Sequence, residues 1–252
     1  MSEPASRNSL SRPPAVSLEN VTRSYPDGPQ VVIALDAVTL QIEAGSFTAV
    51  MGPSGSGKST FLNCASGLDT PSSGRVVVGG KVITGLNADT LTRFRREHVG
   101  FVFQGYNLVR HLTVAENIRL PLTLASSPID DRKLTMLLEA VGLTGMDTRL
   151  PGELSGGQAQ RVAIARALIT GPDVVFADEP TGALDAATAE NILELFRSTV
   201  RNTGQTLVLV THDARAAAYA DRVLFLADGR LCGELRGGTV EEIAARVLQL
   251  GR

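Results

Sequence analysis

The stretch "FTAVMGPSGSGKST", residues 47–60, restricts the fold more than any other part of the chain. An apolar segment of strand length runs straight into a loop with glycine at positions 52, 55 and 57. From there the chain enters "TFLNCASGL", a helix-type run closed by Gly67 in the C-terminal cap position. Gly52, Gly57, Lys58 and Ser59 satisfy the spacing G-x-x-x-x-G-K-[ST]. Glycines let successive backbone N–H groups turn inward around phosphate oxygens, and the following helix offers its positive end to the same anion. On this reading Gly52, Ser54, Gly55, Ser56, Gly57 and Thr60 form the cradle. Lys58 is then placed to reach the β- and γ-phosphates, and the Ser59 hydroxyl to ligate Mg²⁺. A flexible Gly/Ser turn is the competing reading, but it gives no reason for the strand before and the helix after.

The surrounding pattern is that of an α/β core. "VSLENVTRSY" and "ALDAVTLQIEAGS" alternate apolar and polar residues, as half-exposed antiparallel strands do. "DVVFAD" and "TLVLVTHD" are apolar without alternation, which suits parallel strands covered on both faces. Residues from about 87 to 154 read as mostly helical, with a strand at "VGFVFQ". "VLFLADGRLCGEL" reads as a hairpin turning at Asp228-Gly229, and Thr239 with Glu242 fits a capping box for a last helix. Residues 1–14, rich in Ser, Pro and Arg, read as a disordered tail ahead of a domain spanning 15–252.

A net charge of -2 offers no basic excess, so no nucleic-acid partner is expected. Cys64 and Cys232 form no Cys-x-x-Cys pair; free thiols in a reducing compartment are the simpler reading. The N-terminus lacks the apolar region of a secretory leader, and the longest apolar runs are strand-sized. Membrane work would therefore need another protein to hold the chain there.

Two further motifs carry chemistry. "VVFADEPTGALD" ends an apolar strand with Asp178 and Glu179. An aspartate at that edge, beside a phosphate loop, is placed to ligate Mg²⁺, and Glu179 is placed to deprotonate an attacking water. Alone, the pair would equally suit a solvated turn before Pro180. "ELSGGQAQRVAIARAL", Glu153 to Leu168, sets two glycines before a helix with no phosphate-binding lysine beside them. A capped helix start explains Ser155 but not why two glycines should weaken it.

Taken together, these residues resemble the nucleotide-binding subunit of ABC transporters, over nearly the whole chain past the tail. The resemblance implies a P-loop NTPase (RecA-like) α/β core, an N-terminal antiparallel β subdomain and a helical signature subdomain at about 87–158. It implies ATP and Mg²⁺ as cofactors and a second ATP-binding subunit packed head to tail. Ser155, Gly156, Gly157 and Gln158 of "LSGGQ" then cover the γ-phosphate held by the partner's loop, at a helix N-terminus suited to an anion. Gln104 matches the family's glutamine loop, sensing Mg²⁺ and the lytic water; His212 matches the switch histidine on the γ-phosphate. Tyr25 matches the aromatic that stacks on adenine, and Asp185 the loop crossing the dimer interface. Each has a plainer reading: a strand-end Gln, a structural His, a packed aromatic and an N-cap. Ala159 and Gly182 depart from the commonest residues, glutamine and serine, without removing a phosphate, metal or water ligand.

"GLDTPSSG", "FQGYNLVRHLTVAENIRLPL" and "DEPTGALD" resemble the macrolide-exporter and lipoprotein-release type. That type implies a cytoplasmic ATPase held on the inner face of the membrane by an integral permease with a large extracytoplasmic domain. The segment after Gln104 is then the expected permease dock, while the basic run "LTRFRREH" reads as a solvated helix face. A soluble ABC ATPase, such as an iron-sulphur assembly helper, is the rival class, and a non-catalytic nucleotide-binding scaffold is the second.

Overall fold

The computed structural model describes residues 12–128 and 130–250. The tail expected over residues 1–14 lies outside them except for its last three. The elements in chain order are β1 (Val16–Asp27), β2 (Gln30–Ile42), β3 (Phe47–Met51), α1 (Lys58–Ser66), β4 (Ser73–Val78), β5 (Lys81–Val82), α2 (Ala88–His98) and β6 (Val99–Phe103). Then follow α3 (Val114–Leu124), α4 (Asp131–Ala140), α5 (Gly156–Leu168), β7 (Val174–Asp178), α6 (Ala186–Thr203), β8 (Leu207–Val210), α7 (Ala214–Ala217), β9 (Arg222–Ala227), β10 (Arg230–Arg236) and α8 (Val240–Leu250).

Two sheets divide the strands. The smaller is antiparallel, in the order β2-β1-β4-β5; the larger runs β10-β9-β3-β8-β7-β6. From β9 to β6 every pairing in the larger sheet is parallel, and β10 closes its edge antiparallel to β9. Burial follows the two-residue period of a strand. Ala49, Met51, Val175, Ala177, Leu207, Leu209, Val223 and Phe225 face one apolar cluster with α3, α4, α5 and α6. Their neighbours Val50, Val174, Phe176, Val208, Val210, Leu224 and Leu226 face the other, with α1 and the smaller sheet. Coverage on both faces explains why these strands read as unbroken apolar runs.

The expected punctuation is present. Gly67 ends α1 at φ 72°, and Asp228 and Gly229 turn the last hairpin with φ of 48° and 74°. Thr239 and Glu242 exchange capping hydrogen bonds at 3.3 and 2.9 Å. The β4–β5 hairpin was not anticipated: "RVVVGG" is too short and too unalternating to declare itself, although Gly79-Gly80 marks its turn. Within the stretch 87–158, β6 belongs to the larger sheet and Phe94 of α2 packs in the cluster with α1 and the smaller sheet, whereas α3 and α4 pack on the opposite side.

Asn117, fully buried on α3, shapes the segment between β6 and α3. Its Oδ1 accepts the Val109 N–H at 2.8 Å, while Nδ2 donates to the carbonyls of Val109, Leu112 and Thr113 at 2.8–3.1 Å. Asn117→Ala strands these groups away from water and should cost about 2–3 kcal/mol. Urea denaturation reads this directly; an unchanged midpoint would mean that the segment is held by other contacts.

Candidate nucleotide and catalytic site

Strand register assembles the site. Across the larger sheet Val50 pairs with Val210, Val210 with Asp178, and Asp178 with Phe103. The chain therefore leaves β3, β8, β7 and β6 along one edge, with strands roughly 5 Å apart. The residues delivered there are the glycine loop, Thr211 and His212, Glu179, and Gln104. This is the carboxyl edge at which open α/β sheets bind ligands.

The glycine loop is wrapped tightly around α1. Gly57 sits at φ 96°, and a Cβ there would stand 2.3 Å from the Ala34 carbonyl oxygen of β2, so no other residue fits. Lys58 turns its ammonium back on the loop, donating to the carbonyls of Gly52 and Pro53 at 2.9 and 2.8 Å. α1 begins without a side-chain cap, and the buried Ser56 hydroxyl has no hydrogen-bond partner among the described residues. Uncapped N–H groups, an orphaned hydroxyl and an ammonium held only by carbonyls are the donor set a polyphosphate requires. Ser54, Gly55 and Ser59 are exposed, and Thr60 lies in the first turn of α1.

Asp178 and Glu179 sit in different environments. Burial holds the Asp178 carboxyl above the usual aspartate range, Glu179 beside it adds to this, and Lys58 opposes it. Burial also holds the Lys58 ammonium below its usual range, against the pull of Glu179 and Asp178. A divalent cation favours the ionised aspartate, so Ser59 and Asp178 suit Mg²⁺ with phosphate oxygens and water completing its shell. Glu179 is locked. Its φ is 45°, in the left-handed region that a non-glycine residue rarely adopts. Its N–H donates to the Val210 carbonyl at 2.9 Å. Oε1 accepts the His212 backbone N–H at 3.0 Å and lies 2.7 Å from His212 Nδ1. Oε2 accepts the Thr211 hydroxyl at 3.1 Å. Reading the sequence missed Thr211, whose signal was a hydroxyl residue closing an apolar strand one place before His212. The His212 side chain is 76% exposed against 21% for Glu179, so the imidazole faces outward while the carboxylate is held.

Gln104 reaches the turn after Glu179: its Nε2 lies 2.8 Å from where a Cβ on Gly182 would stand. The serine common at that position would have to displace it. Tyr25 is half-buried near the tip of the β1–β2 hairpin, opposite Val32. Asp185 caps α6, accepting the Thr188 N–H at 3.0 Å; the Thr188 side chain first, and this N–H second, hold its carboxyl below the usual range.

The signature segment is more self-contained than its sequence suggests. Ser155 and Gln158 form a reciprocal capping box at the start of α5, at 3.3 and 2.9 Å. The two glycines answer to packing in this same chain. A Cβ on Gly156 would stand 2.8 Å from the Tyr106 hydroxyl, and one on Gly157 would stand 2.5 Å from the Thr188 methyl. Ser155 and Gly156 remain exposed.

The raised Asp178 carboxyl sets a pH dependence. Its favourable contribution to the free chain is fully present below the ordinary aspartate pKa and is lost as pH rises through the raised value. At neutral pH the ionised group is thus a cost. Asp178→Asn should raise the nucleotide-free unfolding midpoint by about 2–4 °C at about pH 7 and lose that gain toward about pH 4. Calorimetry across this range checks it; equal midpoints at neutral pH would show that the carboxylate is not strained.

The family model described as "ABC transporter" matches residues 35–182. The macrolide export ATP-binding/permease protein MacB of Burkholderia pseudomallei is 45% identical over 223 residues, covering 88% of this chain but only 34% of that protein. The chain thus spans about a third of the length of the MacB relatives. An uncharacterised ABC transporter ATP-binding protein of Methanocaldococcus jannaschii is 44% identical over 232 residues, covering 88% of this chain and 98% of that protein. A solved dimeric ATP-binding cassette in a post-hydrolysis state, bound to ADP and Pi, matches with a TM-score of 0.80 and 41% identity, over 88% of this chain and 99% of that one. The chain belongs to the ABC transporter family, as an ATP-binding ATPase cassette similar to those of the macrolide-export branch.

Proposed function

We propose that two copies of this chain close around two Mg-ATP molecules and drive a separate membrane permease, for export or mechanical transmission across the membrane. The observation that carries this is the Glu179 carboxylate, fixed by Thr211 and His212 beside the lysine loop. A base aimed before substrate arrives needs no reorganisation at the moment of reaction. Glu179 takes a proton from the attacking water. Lys58, with Ser155 from the second copy, stabilises charge on the transferred phosphoryl group. His212, whose Nδ1 lies 2.7 Å from the Glu179 carboxylate, joins Lys58 and Ser155 in stabilising that charge through its outward-facing ring. Ser59, Asp178 and Gln104 would hold Mg²⁺, which would supply neutralisation of phosphate charge. Tyr25 carries the adenine, the remaining cradle residues (Gly52, Ser54, Gly55, Ser56, Gly57, Thr60) hold the phosphates, and Gly156, Gln158 and Asp185 face the second copy, while Gly157, expected to join them, is buried against Thr188 of its own chain. Loss of the γ-phosphate removes contacts shared by both copies, and the dimer opens.

Gln104 passes this change to α3 and α4, the helices that follow it within the stretch 87–158, and so to the permease. No helix among the described residues is long and apolar enough to cross a membrane. A groove of about 500 Å³ beside Gln104 supports a dock. It is lined by Leu68, Phe101, Phe103, Pro121 and Leu124, with Arg95 and Arg96 at its side. The basic run read as a solvated face thus contributes to this groove; Arg95 also donates to the Gly67 carbonyl at the end of α1. The chain then sits on the cytoplasmic face of the membrane, through a permease that carries a large extracytoplasmic domain.

Glu179→Gln should keep ATP binding, lower turnover by at least a hundredfold and accumulate an ATP-bound dimer. Native-rate hydrolysis would remove Glu179 as the base. Co-purification of that variant with Mg-ATP in gentle detergent should recover a permease cross-linked to the segment 105–118. Recovery of soluble proteins alone would overturn the transport reading and leave the ATPase.

A further inference from the structure

Two side chains near the hairpin tip share one carboxylate oxygen. Tyr25 donates its hydroxyl to Asp69 Oδ2 at 2.7 Å, and Arg23 Nε donates to the same oxygen at 2.8 Å. Arg23 stands over the Tyr25 ring, its Cζ 4.5 Å from the ring centroid. Asp69 is itself fixed: its N–H donates to the Asn63 carbonyl at 3.0 Å, and Oδ1 accepts the Thr70 N–H at 2.7 Å. It follows Gly67, the residue that closes α1, so the carboxylate is tied to the far end of the phosphate-loop helix. The hairpin is tied to the near end. Val32 lies opposite Tyr25, and Ala34, two residues along β2 or roughly 7 Å, sets its carbonyl against Gly57. The ring thus stands within a nucleotide's length of the loop, braced from both ends of α1.

We propose that Arg23 and Asp69 are positioning residues for the purine base, an inference that rests on Tyr25 being the adenine platform. The guanidinium covers one face of the ring and leaves the other for the base. Asp69 fixes the ring plane before ATP arrives, so binding does not have to order it. Arg23 also pairs with Asp69, so no uncompensated anion stands beside the base; both side chains are only 24% exposed. A plain strut between the smaller sheet and the end of α1 would show the same bonds but would not distinguish base from phosphate.

The test compares calorimetric binding of Mg-ATP with that of Mg-tripolyphosphate, which has the phosphates and no base. Asp69→Asn and Arg23→Gln should each weaken ATP binding by about three- to tenfold while leaving tripolyphosphate within about twofold. Tyr25→Phe, which lacks the hydroxyl, should shrink the effect of adding Asp69→Asn, because the link is already gone. Equal losses for both ligands, or a lowered unfolding midpoint with no change in their ratio, would reduce the cluster to a strut and overturn the proposal. Tyr25→Ala separates the two layers. A fallen ATP-to-tripolyphosphate ratio keeps the platform whatever Asp69 does, and an unchanged ratio removes both platform and proposal. Arg23→Lys, which keeps the ion pair and loses planar stacking, carries the test if Asp69→Asn does not fold; it should weaken ATP binding alone.

Discussion

The hydrogen-bond ladder across β3, β8, β7 and β6 is the constraint on which the site depends. It places Val50, Val210, Asp178 and Phe103 in one line, so each reactive group needs only to follow its strand by a residue or two. A slip of one residue in any strand would turn its apolar set to the wrong face as well as misplace its loop. The two apolar clusters therefore guard the chemistry, because alternate residues of the same strands fill both. Fold and site are specified by one pattern.

Against this rigid edge the charges are left unsettled. Burial disfavours the charged forms of both Lys58 and Asp178, and the lysine rests on carbonyl oxygens. Glu179 is the contrast, in strained backbone but with three donors on its carboxylate. Groups meant to meet the polyphosphate and its cation are thus poorly satisfied in the free chain. The carboxylate proposed above as the base is already held in place. That division is what binding energy needs if it is to be released on the phosphates and not spent on arranging the base.

Much of this was legible in the sequence because the chemistry is local. The loop Gly52–Thr60 carries its strand, its turn and its helix within a few residues, so spacing alone implied the geometry. Asp178 and Glu179 were readable for the same reason, as the end of an apolar run. What sequence could not show were contacts between distant segments. Thr211 acquires its role only because β8 lies beside β7; Asp69 meets Arg23 and Tyr25 only because β1 packs near the end of α1. The β4–β5 hairpin escaped because six residues of "SGRVVV" carry neither clear alternation nor helical length.

The signature glycines show how such distant contacts change a motif's meaning. Two glycines at a helix start look wasteful, and a phosphate from a second chain would account for them. In this fold the Tyr106 hydroxyl, the Leu184 side chain and the Thr188 methyl already occupy the space their side chains would take. Tyr106 follows Gln104 by two residues, and Leu184 immediately precedes Asp185. Arg166, lower on the same helix α5, donates to the carbonyls of Tyr106 and Asn107 at 2.8 and 2.6 Å, holding both in left-handed backbone. The start of α5, the turn after Gln104 and the turn before Asp185 are therefore one close-packed unit. Close-packed contacts of this kind do not deform independently. The glycines serve the joint within one chain first, and the exposed Ser155 and Gly156 that this joint presents are what a second chain would meet.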